Sequence, residues 1–225
     1  MRKLLPAVLG LVTAAAAAAA GAQTVDQTID GAIAAWRSVR TLRATFEQTI
    51  INPITGSAMT ARGALQQRKP DRLTITFTEP KDDRIVADGK FVWVFLQSAA
   101  PGQVLKMSYA DAGASSTDLI GQFLDAPRSQ YDITDAGTDT VAGRNTRALV
   151  LIAKPGQALP FIRAKVWIDP NDAMIRQFES TESSGLSRKV RLITVAPNAA
   201  VDSASFVFRV PPGVRVVEPM RPPNR

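Results

Sequence analysis

The sequence predicts a mainly β fold, a curved antiparallel sheet or incomplete barrel with helices laid against its concave side. Three observations carry this reading. From Leu42 onward apolar and polar residues alternate with a period of two over several short runs, turn residues punctuate those runs, and two stretches return to helical spacing. A chain of 225 residues with no internal repeat and no low-complexity linker suits one well-cored domain.

The elements follow in order. Arg2 and Lys3 precede the apolar run Leu4 to Ala20, and Ala20-Gly21-Ala22 puts small residues where a signal peptidase reads them. Residues 1–22 are therefore expected to be a secretory signal peptide cleaved before Gln23, residues 23–218 one domain, and residues 219–225 a disordered tail rich in proline. After Gln23 no run approaches the roughly 20 apolar residues that would span a bilayer.

Val25, Ile29, Ile33 and Trp36 recur at spacings of three or four and predict a helix from Val25 to Val39. The next two predicted strands carry Phe46, Gln48 and Ile50 against Thr45, Glu47 and Thr49, then Leu73, Ile75 and Phe77 against Thr74, Thr76 and Thr78. Asp88-Gly89 predicts a tight hairpin, with positive φ at both central positions, between Arg84–Ala87 and Phe91–Leu96. The second of these strands is apolar on both faces, so both should be covered. Leu119, Ile120, Phe123 and Leu124 form one stripe of a helix expected from Ser115 to Asp125, capped by Ser116 or Thr117 and inserted between strands as a candidate lid. Further strands are expected at Gln130–Thr134, Thr146–Ile152, Phe161–Ile168, Ala173–Thr181, Lys189–Val195 and Ser205–Arg209, the last with Phe206 and Phe208 on one face.

The chain contains neither cysteine nor histidine. That excludes a disulfide framework, a thiolate nucleophile, an acylated cysteine behind the leader, and any Ser-His-Asp triad. It also removes the usual zinc ligands and the usual general base near neutral pH. The net charge of +7 includes Arg2 and Lys3 of the leader; the remaining excess suits an anionic membrane surface or an acidic partner. Nucleic acid is a poor fit, because the basic residues are scattered without an aromatic stripe.

Two acidic clusters read best as turns. Asp169, Asn171 and Asp172 lack the Gly and distant Glu of a calcium loop. Glu79, Asp82 and Asp83 beside Pro80 and Lys81 read as a solvated loop rather than a glycosidase pair. The stripe of Leu119, Ile120, Phe123 and Leu124 leaves two readings open: a closed core, or the roof of an apolar pocket.

The ordered motifs resemble the LolA family of bacterial lipoprotein-localisation carriers. They are Phe46 and Gln48, Gly63-Ala64-Leu65 before Arg68-Lys69-Pro70, Asp88-Gly89 before Trp93, and Phe206, Phe208, Pro211, Gly213 and Val214 near the end, spread over essentially all of the chain after the leader. The resemblance implies an incomplete antiparallel half-barrel whose α-helical lid covers an apolar concave cavity. It also implies a periplasmic carrier of triacylated lipoprotein cargo that is not an enzyme, needs no cofactor and works as a monomer. Cargo would come from an inner-membrane LolCDE-type exporter and pass to an outer-membrane LolB-type receptor.

On this reading acyl chains would meet Trp36 of the first helix, Phe46, Leu73, Ile75, Phe77 and Trp93 of the sheet, and Leu119, Ile120, Phe123 and Leu124 of the lid. The family's lid-fastening arginine before proline falls on Lys69, with Arg68 just before it, so these two are the expected latch. Lysine lacks the planar fork with which arginine grips several carbonyls, and a pair of solvated strand-end charges is the competing reading. A carrier or sensor of another lipid on the same fold, and a periplasmic hydrolase, are the alternatives in function.

Overall fold

A computed structural model describes residues 15–113, 117–157 and 159–219. Helix α1, Ala15–Ser38, begins ahead of the expected Val25 and runs through the expected cleavage point. Its buried stripe is Ile29, Ala32 and Trp36, with Val39 buried just past its end, close to the one expected.

Twelve strands follow among the described residues: β1 Thr41–Ile51, β2 Ala58–Arg68, β3 Arg72–Glu79, β4 Arg84–Asp88, β5 Phe91–Phe95, β6 Gln103–Ser108, β7 Tyr131–Val141, β8 Arg144–Ala153, β9 Arg163–Ile168, β10 Ile175–Thr181, β11 Ser187–Pro197 and β12 Arg215–Val217. They form one sheet in the order β12-β6-β5-β4-β3-β2-β1-β11-β10-β9-β8-β7, antiparallel except at the β12–β6 pair. The two ends do not pair, so the barrel stays open. The sequence did not anticipate β2, β6 or β12.

Bulges bend the sheet, since an extra residue on one strand increases local twist. Register shifts fall at Thr45/Phe46 in β1, Arg62/Gly63 in β2, Ile175/Gln177 in β10 and Asp135/Thr138 in β7. Gly63 is needed at its bulge: a Cβ there would stand 2.4 Å from the Thr76 carbonyl oxygen and 3.1 Å from the Phe46 ring. The bare backbone lets Phe46 meet Phe77 edge to face at 5.7 Å.

One large apolar cluster fills the concave side, joining the α1 stripe to Leu42, Ala44 and Phe46 of β1, Leu73 and Ile75 of β3, Leu149 and Leu151 of β8, and Val190 and Leu192 of β11. Tyr131 is stacked 5.4 Å from Phe161 within it, and burial pushes its phenol up to about 12.

The convex side is covered on the β3–β6 half by the chain after β11. The expected strand Ser205–Arg209 is instead a 3-10 turn, Ser203–Phe206, followed by extended chain. Side chains of the sheet hold it there and take up its carbonyls: Thr74 Oγ1 and Arg84 donate to the Ser205 carbonyl, and Arg68 donates to the Val201 carbonyl and Ser203 hydroxyl. Phe206 is fully buried, while Phe208 stacks 5.4 Å from Trp93 and lies 5.7 Å from Phe95. Both faces of β5 are thus covered, as its double apolar pattern required.

Two turns differ from expectation or sharpen it. At Asp88-Gly89 only Gly89 has positive φ, and Asp88 ends β4, so the residues between the strands are Gly89 and Lys90 and not Asp88 and Gly89. Asp88 instead accepts from the Lys90 and Phe91 amides and from Trp93 Nε1. The Asp169 cluster is a salt-bridged turn between β9 and β10. Asp169, fully buried, meets Arg176 at 3.1 Å and Arg144 at 2.9 Å, and Asp172 also pairs with Arg176.

Candidate functional site

Between the concave sheet and the segment after α2, Tyr109–Ala112, lies an apolar cavity of about 430 Å³. Its walls come from alternate residues of successive strands, because side chains of one face recur at every second position. Phe46, Gln48 and Ile50 come from β1, Leu65 from β2, Ile75 and Phe77 from β3, Ile85 from β4, Val92 and Val94 from β5, Met107 from β6, and Arg188 and Val190 from β11. Leu96, Leu119 and Gln122 complete the lining.

The roof is not the expected helix. Residues 117–120 form turns, and only Gly121–Phe123 adopts a single 3-10 turn; Ser116, one of the two expected caps, lies outside the described residues. A helix this short has little stability of its own, and side-chain anchors decide the shape of the segment. Asp118 accepts from the Gly121 amide and from Trp36 Nε1, and Gln67 Nε2 donates to the Thr117 carbonyl at 3.0 Å. Tyr109 Oη meets Thr117 Oγ1 at 3.1 Å. Gly121 makes room for this arrangement, since a Cβ there would stand 1.9 Å from Asp118 Oδ2 and 2.7 Å from Trp36 Nε1.

The expected latch is therefore corrected. Among the described residues neither Arg68 nor Lys69 donates to a carbonyl of the 117–125 loop. Arg68 is turned to the convex face, where it binds the C-terminal segment and lies 5.4 Å from the Phe206 ring. Lys69 donates to the Trp36 carbonyl at 2.7 Å and sits 4.0 Å from the Trp36 ring, so it fastens the end of α1. Burial lowers its pKa below the ordinary lysine value, against the opposing pull of Asp118. From the sheet the roof is fastened by Gln67, beside the Trp36 and Tyr109 bonds, and its position two residues before Lys69 puts it on the concave face with Leu65.

Of the residues expected to meet a ligand, Phe46, Ile75, Phe77 and Leu119 line the cavity. Trp36, Leu73, Ile120, Phe123 and Leu124 belong to the packed cluster beside it, with Phe123 fully buried 5.0 Å from Phe161 and 4.9 Å from Phe178. Trp93 is excluded from the cavity, because its neighbours Val92 and Val94 take the inward positions and leave it on the convex face against Phe208. The same alternation could have placed Val92, Val94 and Ile85 inside. Nothing in the local pattern marked Met107 or Arg188.

Outside the roof a second groove of about 460 Å³ runs between α1 and the loop, lined by Trp36, Lys69, Asp118, Leu124, Tyr131 and Pro160 among others. Gln122 borders both spaces, so the loop is the partition between them.

The family model described as "Outer membrane lipoprotein carrier protein LolA" matches residues 37–209. The chain belongs to the LolA family. It is similar to proteins named outer-membrane lipoprotein carrier protein from Leptothrix cholodnii, 28% identical over 81% of this chain and 81% of that one, and from Chromobacterium violaceum, 29% identical over 79% and 81%. In fold it is similar to an uncharacterised conserved protein from Thermus thermophilus, with a TM-score of 0.53 at 12% identity over 88% of this chain and 100% of that one. Within the LolA family frame, the open mainly β sheet expected from the sequence is borne out, with α1 as the helix on its concave side.

Proposed function

We propose that this protein is a periplasmic, non-enzymatic carrier that binds the acyl chains of lipoproteins and takes them from an inner-membrane exporter of the LolCDE type to an outer-membrane receptor of the LolB type. The observation that carries this reading is the apolar cavity beneath a loop held by side-chain hydrogen bonds rather than by regular structure. Membership of the LolA family and the similarity to named lipoprotein carriers support it.

Size sets how the site works. A sixteen-carbon chain at roughly 30 Å³ per methylene, about the volume share of a water molecule, fills about 480 Å³. The inner cavity of about 430 Å³ therefore has room for about one chain as it stands. Displacing the 117–125 loop joins the inner cavity to the groove beside α1 and about doubles the space, so a second chain fits, and three require the sheet to open further. Each methylene taken from water contributes about 0.8 kcal/mol, which is ample to offset the few hydrogen bonds of the roof, each about 0.5–1.5 kcal/mol. The same sum makes release into water slow, so delivery requires an apolar acceptor at the mouth.

Mass spectrometry of the protein isolated from periplasm under native conditions tests this reading. A copurifying peptide with a triacylated amino-terminal cysteine is the expected result. A bare phospholipid or glycolipid in its place would move the reading to a carrier of another lipid.

A further inference from the structure

We propose that Arg188 is the polar anchor of the cavity, donating to an oxygen acceptor at the head end of an acyl ligand: an ester carbonyl, a carboxylate or a phosphate. The inference rests on the cavity taking acyl chains and adds which atom group stops the ligand at the wall.

Arg188 is the one charged side chain among the described residues lining the cavity. Its place in β11 is set by register: it stands opposite Ile50 of β1 and Ser180 of β10, on the same face as Val190 and Phe178. No carboxylate pairs with it, and its side chain makes no hydrogen bond among the described residues, while its Nε is buried without a partner. Arg84, Gln97 and Arg147 also carry one buried unpartnered nitrogen, but each is held elsewhere, by the Ser205 carbonyl, the Gly102 amide and Asp135 respectively. Neighbouring strand residues show the contrast: Arg191, on the opposite face, pairs with Gln177 and Glu47.

Arg188 is partly exposed, but its Nε is a buried donor left without an acceptor, and that is costly. The wall is apolar apart from Gln48 and Gln122, neither of which bonds to Arg188, so the missing acceptor is one that a ligand supplies. An acyl chain brings it in the right place, because its oxygens sit at the end of the hydrocarbon and not along it. Arginine also suits a carboxylate or phosphate in two-pronged geometry.

The test compares the mature protein with Arg188→Met, which keeps length and removes the donors, and with Arg188→Lys. Three probes differ only at the head: dodecane, methyl dodecanoate and dodecanoate, each competed against a fluorescent fatty-acid probe. Arg188→Met is expected to bind the two oxygen-bearing probes about tenfold more weakly and dodecane unchanged, with the melting temperature equal to or above that of the parent. Arg188→Lys should recover most of the dodecanoate affinity. A larger loss for dodecanoate than for the ester assigns the anchor to anionic heads, and an equal loss to ester carbonyls. If Arg188→Met binds all three probes in the parent's ratios, or melts lower while binding unchanged, the anchor is wrong. Failure of the parent to bind any probe would instead remove the acyl cavity itself.

Discussion

Replacing Asp169 with Asn is expected to cost about 3 kcal/mol, the lower end for a broken buried pair, because it removes the buried partner of Arg176 and leaves that guanidinium to the half-exposed Asp172 alone. For a domain of this size that lowers the melting temperature by roughly 10 °C. Burial pushes the Asp169 carboxyl up, but the Asn171 amide, Arg144 and Arg176 outweigh it and hold the pKa below the ordinary carboxylate range. A carboxyl depressed in the folded state stabilises fully above the unfolded value of about 3.9, and its contribution is lost as pH falls through the lower folded value. The gap between parent and Asp169→Asn should therefore be full at neutral pH and should close in strong acid. Asp172→Asn, at a half-exposed partner of the same Arg176, should cost under about 1 kcal/mol. Thermal melts across pH check this; a variant melting within a degree of the parent at pH 7 would show that the turn does not depend on the pair.

Phe123→Glu is the second large effect, and it reports on the roof. Phe123 is fully buried between Phe161 and Phe178. An unpaired carboxylate there costs several kcal/mol, and the chain can escape that cost only by releasing the loop. Release exposes Ile120 and Leu124, each worth about 1.5–3 kcal/mol of burial. Either way the variant is destabilised by several kcal/mol against a total of about 5–15. The strands do not depend on this loop for pairing, so the expected product is a folded sheet with a lowered melting temperature. Amide exchange should be fast over residues 117–124, and affinity for acyl probes should fall by at least tenfold because the cavity has lost its roof. Complete unfolding would show the loop to be part of the core and not a movable cover; an unchanged melt would remove Phe123 from the packing.

The period of two made most strands legible, and the apolar stripe of α1 was legible for the same reason: each depends on a local repeat that burial on one face enforces. What escaped was set by distant partners. The roof carries a helical stripe at Leu119, Ile120, Phe123 and Leu124, yet Asp118, Trp36 and Gln67 fold it as a loop, and no local pattern encodes a bond between residues 67 and 117. The resemblance places Trp93 in the cavity, its strand is apolar on both sides, and only the convex cover of Phe208 shows which side it takes. Arg68 and Lys69 stand where a latch was expected, but strand alternation sends one outward and packing ties the other to α1. β12 is three residues long and pairs through β6, so its own sequence says little.

The central claim is that cargo acyl chains lie on the concave face beneath the 117–125 loop. It is tested most directly by placing a photo-crosslinking amino acid singly at Ile85, Met107, Leu119 or Trp93 and irradiating protein loaded with a radiolabelled acyl lipoprotein. Ile85, Met107 and Leu119 should each crosslink to the acyl chains, and Trp93, on the convex face, should not. Crosslinking at Trp93, or none at the three cavity positions in protein that still carries cargo, would contradict it.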